Sequence, residues 1–290
     1  MCTRCERLLR IDSADSTVSA ASPWQPRRAF LLAAAGAVLA GPALAQVNVG
    51  SASVARNIVP AEKVEAAGVQ QYAELLEQAR AKGALAGDNN PQLQRLRAIA
   101  QRLIPFATPW NSRARDWKWE VNLIGSKQIN AFCMPGGKIA FFTGILEQLK
   151  LSDDEVAMVM GHEMAHALRE HARARMAKSA GTGAALSIGA QLLGLGQVGD
   201  IAARAGTQLI TLKFSRSDET EADLVGLELA ARAGYDPKAS VTLWQKMAAA
   251  SKNQGGLNFL STHPTGPDRI TKLEANLPKV EKLYRDAKKS

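Results

Sequence analysis

The chain after residue 59 begins with two segments in which apolar residues recur at helical spacing. The first covers residues 60–82, the second covers residues 91–104, and residues 83–90, with two glycines, break the pattern between them. Pro105 ends the second segment. The pattern predicts two packing helices, with Val64, Val69, Tyr72, Leu75 and Leu76 on the first apolar face and Leu93, Leu96, Ile99, Leu103 and Ile104 on the second.

A period of two residues replaces the helical spacing in the next part of the chain. Residues 117–123 alternate between apolar and polar side chains, which predicts a half-buried strand. Residues 129–133 and 138–142 are two more apolar runs, and the turn-forming sequence Pro-Gly-Gly lies between them. These two runs are expected to form a β-hairpin, so the three strands predict a small antiparallel sheet.

The predicted fold class is α+β, mostly helical, with the small antiparallel sheet beside a helix that begins at Ser152. Ser152 and Glu155 can form a capping box at that start, and the apolar spacing carries the helix to about Met176. Further helical patterns occupy residues 181–212 (as helix, break and helix), 215–233, 237–250 and 266–288.

The first 45 residues have the pattern of an export signal. Arg27 and Arg28 precede an alanine-rich apolar run, and Ala43-Leu44-Ala45 is a small-x-small cleavage site. The run, about 12 residues, is too short to span a bilayer. The paired arginines favour a twin-arginine signal, with an ordinary Sec signal as the alternative. We therefore expect a signal segment over 1–45 cleaved after Ala45, a linker over 46–59, and one domain over 60–290 in the periplasm.

The charge of the chain bears on its partners, and its cysteine content bears on disulfide formation. The net charge is +9, but the charges are mixed, and no zinc-finger spacing, recognition helix or aromatic stacking motif accompanies them. Nucleic acid is therefore not an expected partner, whereas peripheral contact with an anionic membrane stays open. Cys133 is the one cysteine left after cleavage, so the mature fold is expected to form without an intramolecular disulfide.

Residues 162–166 read His-Glu-Met-Ala-His within the helix predicted to begin at Ser152. Because residues i and i+4 lie on one helix face, His162 and His166 can hold one metal ion together. Glu163 lies on the neighbouring face, where it can accept a proton from an attacking water. This spacing is typical of zinc metalloproteases.

A catalytic zinc ion needs a third protein ligand, and the sequence offers two candidates. His171 is close, but Arg169 stands where a turn-forming glycine would be needed, so the helix is expected to carry His171 away as a surface or packing residue. Glu219 and Asp223 share a face of a later helix, which suits a metal ligand and a carboxylate that orients a ligand histidine. Glu221, between them, is expected to project elsewhere.

Four motifs in order carry a family resemblance: the stretch 161–166, Ser215-Arg216, the E-x-x-A-D sequence at 219–223, and Thr-His-Pro at 262–264 followed by Arg269-Ile270. With them, the chain from about Asn130 to Ile270 resembles the gluzincin peptidases of the HtpX and CAAX-prenyl-endopeptidase family, in their soluble periplasmic BepA/LoiP-like branch. The resemblance implies a zincin-like metalloprotease domain, one Zn²⁺ per chain, and Glu219 as the third ligand.

The same resemblance implies roles around the metal. His263 is expected near the ion, either as a latch on the open position or as a hydrogen-bond donor to the oxyanion, unless it only structures its turn. Arg269 is expected to pin that loop by pairing with an acidic residue. The strand that includes Asn130, Ala131 and Phe132 is expected to bind substrate by strand addition.

The expected function is zinc-dependent endoproteolysis of misfolded or extended envelope proteins, which makes polypeptides the main partners. A second interpretation is an envelope assembly factor or chaperone whose zinc site is latched and rarely active. The intact Glu163 favours the enzyme, because a scaffold has no need of a general base. A third interpretation is a protein that binds the membrane surface through its positive charge.

Overall fold

The computed structural model describes residues 47–180, 209, 212–253, 258–264, 266 and 268–289. The predicted signal segment and most of the helix-break-helix pattern at 181–212 lie outside these residues. Within the described ranges, no helix is both long enough and apolar enough to cross a membrane.

The described chain is mostly helical and carries three short strands, so the α+β class is confirmed. Asn90, Ser152 and Ser215 cap the helices that follow them through side-chain oxygens. In chain order the elements are α1 (Ala61–Ala81), α2 (Pro91–Leu103), β1 (Glu120–Ile124), β2 (Ala131–Met134), β3 (Lys138–Phe142), α3 (Thr143–Leu149), α4 (Asp153–Leu168), α5 (His171–Ala180), α6 (Arg216–Arg232), α7 (Ala239–Asn253), α8 (Asn258–Thr262) and α9 (Arg269–Ala287).

The sheet has the strand order β1-β3-β2. β2 and β3 form the predicted antiparallel hairpin, in which Ala131 lies opposite Phe141. β1, however, pairs in parallel with β3, from Glu120 opposite Lys138 to Ile124 opposite Phe142. The prediction of an antiparallel sheet is therefore wrong in this pair, because β3 lies between the two strands that precede it. Alternation along a strand does not specify its neighbour.

Both faces of the sheet are covered. On one face Phe132, Ala140 and Phe142 pack against Tyr72 and Leu76 of α1. On the other face the apolar side chains join the main core, which includes the buried residues of α4: Val121, Leu123, Ala131, Cys133, Ile139 and Phe141. The half-buried strand predicted at 117–123 forms at 120–124 and is covered on both sides, and its polar Asn122 donates to the Tyr72 hydroxyl at 3.1 Å.

Helix α4 starts as predicted and ends earlier than predicted. The amide of Glu155 donates to Ser152 Oγ at 3.2 Å, and the amide of Ser152 donates to Glu155 Oε2 at 2.9 Å, which completes the capping box. The helix ends at Leu168, and Glu170 adopts a left-handed φ of 57°. Its carboxylate binds Arg173 at 2.7 Å and Arg56 at 3.1 Å, and these ion pairs hold the turn. The expectation of a continuous helix to Met176 is wrong.

The described part of the predicted linker, residues 47–59, makes specific contacts with the domain. Val47 and Val59 are buried, and the amide of Val47 donates to the buried carboxylate of Glu228 at 2.9 Å. The carbonyl of Gly50 accepts a hydrogen bond from Arg169 at 2.9 Å. This N-terminal segment therefore reaches the turn that follows α4.

Candidate metal centre

Helix α4 carries His162, Glu163 and His166 into the interior. Every residue of this helix from Glu155 to Leu168 is buried, as expected of a helix that is packed on all sides. The Nε2 atoms of His162 and His166 lie 3.2 Å apart. One turn of a buried helix thus aims two imidazole nitrogens at the same small volume.

Helix α6 brings a carboxylate to that volume. Glu219 Oε2 lies 3.5 Å from His162 Nε2, and Glu219 Oε1 lies 3.5 Å from His166 Nε2. One turn later, Asp223 Oδ1 lies 3.1 Å from His162 Nδ1, the nitrogen that faces away from the cluster. The shared face predicted for Glu219 and Asp223 is present.

Two glycines let α4 and α6 come this close. A Cβ atom on Gly226 would lie 2.6 Å from the amide nitrogen of His162, and one on Gly161 would lie 2.8 Å from the carbonyl oxygen of Gly226. Real Cβ atoms do not approach backbone atoms so closely. The helices therefore meet backbone to backbone beside His162.

His263 reaches the cluster from the loop that follows α8. Its Nδ1 lies 3.1 Å from Glu219 Oε1 and 3.3 Å from His162 Nε2, while its Nε2 lies 3.6 Å from Glu163 Oε1. The ring stacks on Phe259 with centroids 4.4 Å apart. The structure thus brings His263 to the predicted ligands, and it does more than shape its turn.

The cluster has the composition and spacing of a zinc site. One ligand atom from each of His162, His166, Glu219 and His263 lies within 4.8 Å of the others, and all four residues are buried. Glu163 Oε1 is buried without a hydrogen-bond partner in the described part of the chain. Such an orphaned oxygen is costly unless a cation or water satisfies it. Imidazole and carboxylate groups are ligands that zinc prefers, so the residues fit this ion.

The electrostatics favour the metal-binding forms of His166 and Glu219. In His162, burial lowers the pKa, but hydrogen bonds with Asp223 and Glu219 outweigh it and raise the pKa to about 9, so this ring must release a proton when it binds a metal. Burial lowers the pKa of His166 well below its usual value, and neighbouring histidines lower it further, so the ring is neutral near pH 7. Burial opposes ionisation of Glu219, but hydrogen bonds with His162 and His263 outweigh it and lower the pKa of that carboxyl. In Glu163, by contrast, burial raises the pKa.

Arg269, at the start of α9, compensates the acidic side of the centre. Its Nε and Nη2 bind the two oxygens of Asp223 at 2.6 and 2.7 Å, and its Nη1 lies 3.1 Å from Glu219 Oε2. The guanidinium also lies 3.3 Å from the centroid of the Trp244 ring. The expected pairing with an acidic residue is present, with two carboxylates instead of one.

The predicted substrate strand lies at the edge of the sheet beside the cluster. β2 is an outer strand, and Asn130, Ala131 and Phe132 line an apolar cavity with Glu163 and His166. The carbonyl of Asn130 accepts from the Phe142 amide at 3.1 Å, whereas the Ala131 amide donates to the Asn130 side chain at 3.0 Å. The backbone of Ala131 therefore faces the free edge.

The structure also places His171 and Glu221 near the centre, where the sequence pattern did not predict them. His171 is buried, and its Nδ1 lies 2.9 Å from His166 Nδ1. Its Nε2 lies 3.4 Å from Glu221 Oε2. His171 is thus a buried, packed residue, which was one of the two alternatives. The expectation that the helix carries it away is wrong, because the turn at Glu170 returns it to His166. The presence of three histidines within ten residues was the available signal.

Comparisons with known proteins agree with this geometry. The chain is 40% identical over 168 residues to the mitochondrial metalloendopeptidase OMA1 of Schizosaccharomyces pombe, covering 57% of this chain and 49% of that protein. It is 35% identical over 186 residues to the Saccharomyces cerevisiae OMA1, covering 60% and 51%. It is 28% identical over 194 residues to the metalloprotease LoiP of Escherichia coli, covering 65% and 71%.

The chain therefore spans about half the length of these two OMA1 proteins. The model of peptidase family M48 matches residues 90–277, which include every residue of the cluster. With well over half of its length matched, this chain belongs to peptidase family M48, a family of zinc-dependent metallopeptidases.

Proposed function

We propose that this protein is a zinc metalloendopeptidase in which His162, His166 and Glu219 hold the metal and Glu163 is the general base. The observation that carries the proposal is the convergence of the buried His162, His166 and Glu219 from two helices, with the buried Glu163 in the cavity that His166 also lines. One carboxylate oxygen of Glu163 has no hydrogen-bond partner in the described chain, so it is available to accept a proton from water. The M48 match and the metalloendopeptidase relatives support the same activity.

Each residue has a defined task in peptide hydrolysis. Zinc, when bound, acts as a Lewis acid that acidifies water and polarises a peptide carbonyl. Glu163 takes the proton from the attacking water and passes it to the leaving amine. Because burial raises the pKa of Glu163, the carboxyl is a better proton acceptor than an exposed one. Asp223 accepts a hydrogen bond from His162 Nδ1 and so presents the opposite nitrogen of that ring to the metal.

Substrate is proposed to bind as an extended strand along the free edge of β2. Strand addition reads main-chain groups more than side chains, so it suits unfolded chains of varied sequence. The adjoining cavity is mainly apolar, with Val64, Cys133 and Phe214 among its walls, and accommodates apolar side chains. We expect mass spectrometry of a digested unstructured protein to show many cleavage sites; one strict sequence preference would contradict this mode of binding.

We infer the location and the substrates of the protein from the signal-like segment over residues 1–45. A twin-arginine-like signal over residues 1–45 would deliver the domain to the periplasm, where misfolded envelope proteins are the expected substrates. Residues 1–45 carry +2 of the net charge of +9, so the delivered domain carries +7, which supports peripheral contact with anionic lipid. Sedimentation with anionic vesicles at low salt tests this contact, and failure to co-sediment would remove it.

The first experiment compares wild type with Glu163→Gln, both covering residues 46–290, on an unstructured protein substrate. The amide keeps the shape of the side chain but cannot accept the proton, so cleavage should fall about 10²–10⁴-fold. Zinc content should stay at one per chain, and a chelator should stop the wild type. Glu147→Gln, at an exposed position, is the matched control and should cleave normally. Activity retained by Glu163→Gln would overturn the assignment.

A second candidate function is a chaperone-like role with a latched metal site, and His263 favours it. Its ring lies within the ligand cluster and would fill the position that a catalytic zinc site keeps open. His263→Ala distinguishes the two roles of this residue. Increased cleavage would identify a latch, whereas a loss with zinc still bound would show that His263 assists the reaction.

A further inference from the structure

Behind the ligand cluster, three side chains form a hydrogen-bonded line that ends on His166. His166 Nδ1 lies 2.9 Å from His171 Nδ1, and His171 Nε2 lies 3.4 Å from Glu221 Oε2. Arg169 Nε donates to the same Glu221 oxygen at 2.8 Å. Both histidines are buried, so the contact between them is shielded from competing water, while the contacts of Glu221 are partly buried.

The line fixes where each proton must be. His166 faces the cluster with Nε2, which lies 3.5 Å from Glu219 Oε1, so that nitrogen is the one available to a metal. A neutral ring that ligates through Nε2 carries its proton on Nδ1 and must donate it. His171 Nδ1 is the acceptor within reach, which leaves the His171 proton on Nε2, facing Glu221. One arrangement of protons thus satisfies all three groups.

The backbone supplies the reach that a straight helix would deny. The left-handed turn at Glu170 ends α4 and starts α5 at His171, which returns that side chain toward His166. Arg169 lies in the same turn and joins Glu221 to the Gly50 carbonyl of the N-terminal segment. Arg169 therefore holds Glu221, at the far end of the line, and is itself held by the N-terminal segment.

We propose that His171 and Glu221 are positioning residues that set the tautomer and ring orientation of His166 for metal binding. Neither touches the ion or the substrate, and both act through His166. Partners of this kind accept a hydrogen bond from the second ring nitrogen of a ligand histidine. Their loss typically weakens metal affinity 10–100-fold. The inference rests on the proposed zinc site.

The test measures zinc affinity by competition with a chromophoric chelator, together with the melting temperature of each metal-free protein. His171→Ala should weaken zinc binding about 10–100-fold. Glu221→Gln, which keeps the side-chain shape, should weaken it in the same direction and by less. His171→Asn should restore much of the affinity, since its amide oxygen can accept the His166 proton while leaving Glu221 unused.

Asn122→Ala is the matched control, because it also deletes a buried, hydrogen-bonded polar side chain, but on the sheet face away from the metal. It should lower the melting temperature and leave zinc affinity unchanged. Equal loss of zinc affinity in Asn122→Ala, or wild-type affinity in both His171→Ala and Glu221→Gln, would overturn the inference. A wild type that binds no zinc would instead overturn the proposed function. If His171→Ala fails to fold, Glu221→Gln and His171→Asn decide the matter.

Discussion

Arg269 compensates two buried carboxylates next to the metal centre. Its guanidinium lies within ion-pair distance of both Asp223 and Glu219, and the ring of His162 contacts the same two carboxylates. A buried charge that loses its partner is strongly destabilising, whatever the pair contributed while intact. The planar guanidinium also stacks over Trp244, a contact that a lysine ammonium cannot reproduce with the same hydrogen bonds.

We therefore expect Arg269→Ala to lower the free energy of unfolding of the metal-free protein by about 3–5 kcal/mol. Arg269→Lys should recover only part of this loss, since one ammonium cannot bind both Asp223 oxygens and Glu219. Urea denaturation measures both values. Arg80→Ala is the control, because its ion pair with Glu77 is exposed on both sides and should contribute less than about 1 kcal/mol. Comparable losses at Arg80 and Arg269 would contradict the argument.

Residues placed by helical spacing alone were predictable, and those placed by a turn were not. The i and i+4 relations put His162 with His166 and Glu219 with Asp223, and the structure keeps both pairs. His171 was misjudged because the turn before it has no glycine. Glu170 takes the left-handed conformation instead, held by ion pairs with Arg56 and Arg173. The contact with Arg56 spans more than a hundred residues, which no local pattern reveals.

At the scale of elements, the metal centre depends on how closely α4 and α6 approach each other. α4 carries two histidines and the base, and α6 carries Glu219 and Asp223, so the separation of these helices sets the distances from the two histidines to the two carboxylates. Gly161 and Gly226 permit the approach, because a side chain at either position would overlap the facing backbone. Backbone atoms cannot rotate aside as a flexible side chain can, so the helices themselves would have to move.

Gly226→Ala should therefore destabilise the protein, although alanine alone is favoured over glycine in a helix by about 1 kcal/mol. Overpacking of this kind typically costs about 1–3 kcal/mol, and the displaced α6 should also bind zinc more weakly through Glu219. Thermal melting and chelator competition measure the two effects. Gly87→Ala is the control, since nothing lies within 4 Å of its Cβ position, and it should melt at or above the wild-type temperature. Unchanged zinc affinity in Gly226→Ala would show that the helices tolerate a wider spacing.

The order and type of the described elements were largely predictable, but their pairing was not. Caps and apolar spacing located the starts of the long helices, as at Ser152 and Ser215, but no pattern predicted the short helices α3 and α8 or the break between α4 and α5. The parallel pairing of β1 with β3 depends on which strand lies in the middle of the sheet, and hydrophobic alternation is the same for either order. The cover that α1 gives β1 is likewise a tertiary property.

At the scale of the whole molecule, the N-terminal segment 47–59 connects distant parts of the domain. Val47 lies in the main core, Val59 lies in a separate cluster with Val64 and Met176, and Gly50 accepts from Arg169 beside the metal centre. The sequence predicts a linker here, because the segment precedes the first helical pattern at residue 60. Its contacts instead make it part of the structure that supports the turn after α4.

Removing this segment should lower both stability and metal affinity. A protein that begins at Pro60 loses two buried valines, each worth roughly 1.5–3 kcal/mol, partly offset by the entropy of ordering the segment. It also leaves the Glu228 oxygen without the Val47 amide and Arg169 without the Gly50 carbonyl. We expect the melting temperature to fall by roughly 5–10 °C relative to a protein that begins at Gln46.

The matched control keeps the segment and changes only its exposed side chains. Val54 and Ile58 are 81% and 67% exposed, so replacing both with serine should leave the melting temperature and zinc affinity unchanged. Zinc affinity should fall in the protein that begins at Pro60, because Arg169 then holds Glu221, and through it His171, less firmly. If the shortened protein melts and binds zinc like the longer one, residues 47–59 are only a linker. The hydrogen-bonded line to His166 would then begin at Arg169 and need no support from this segment.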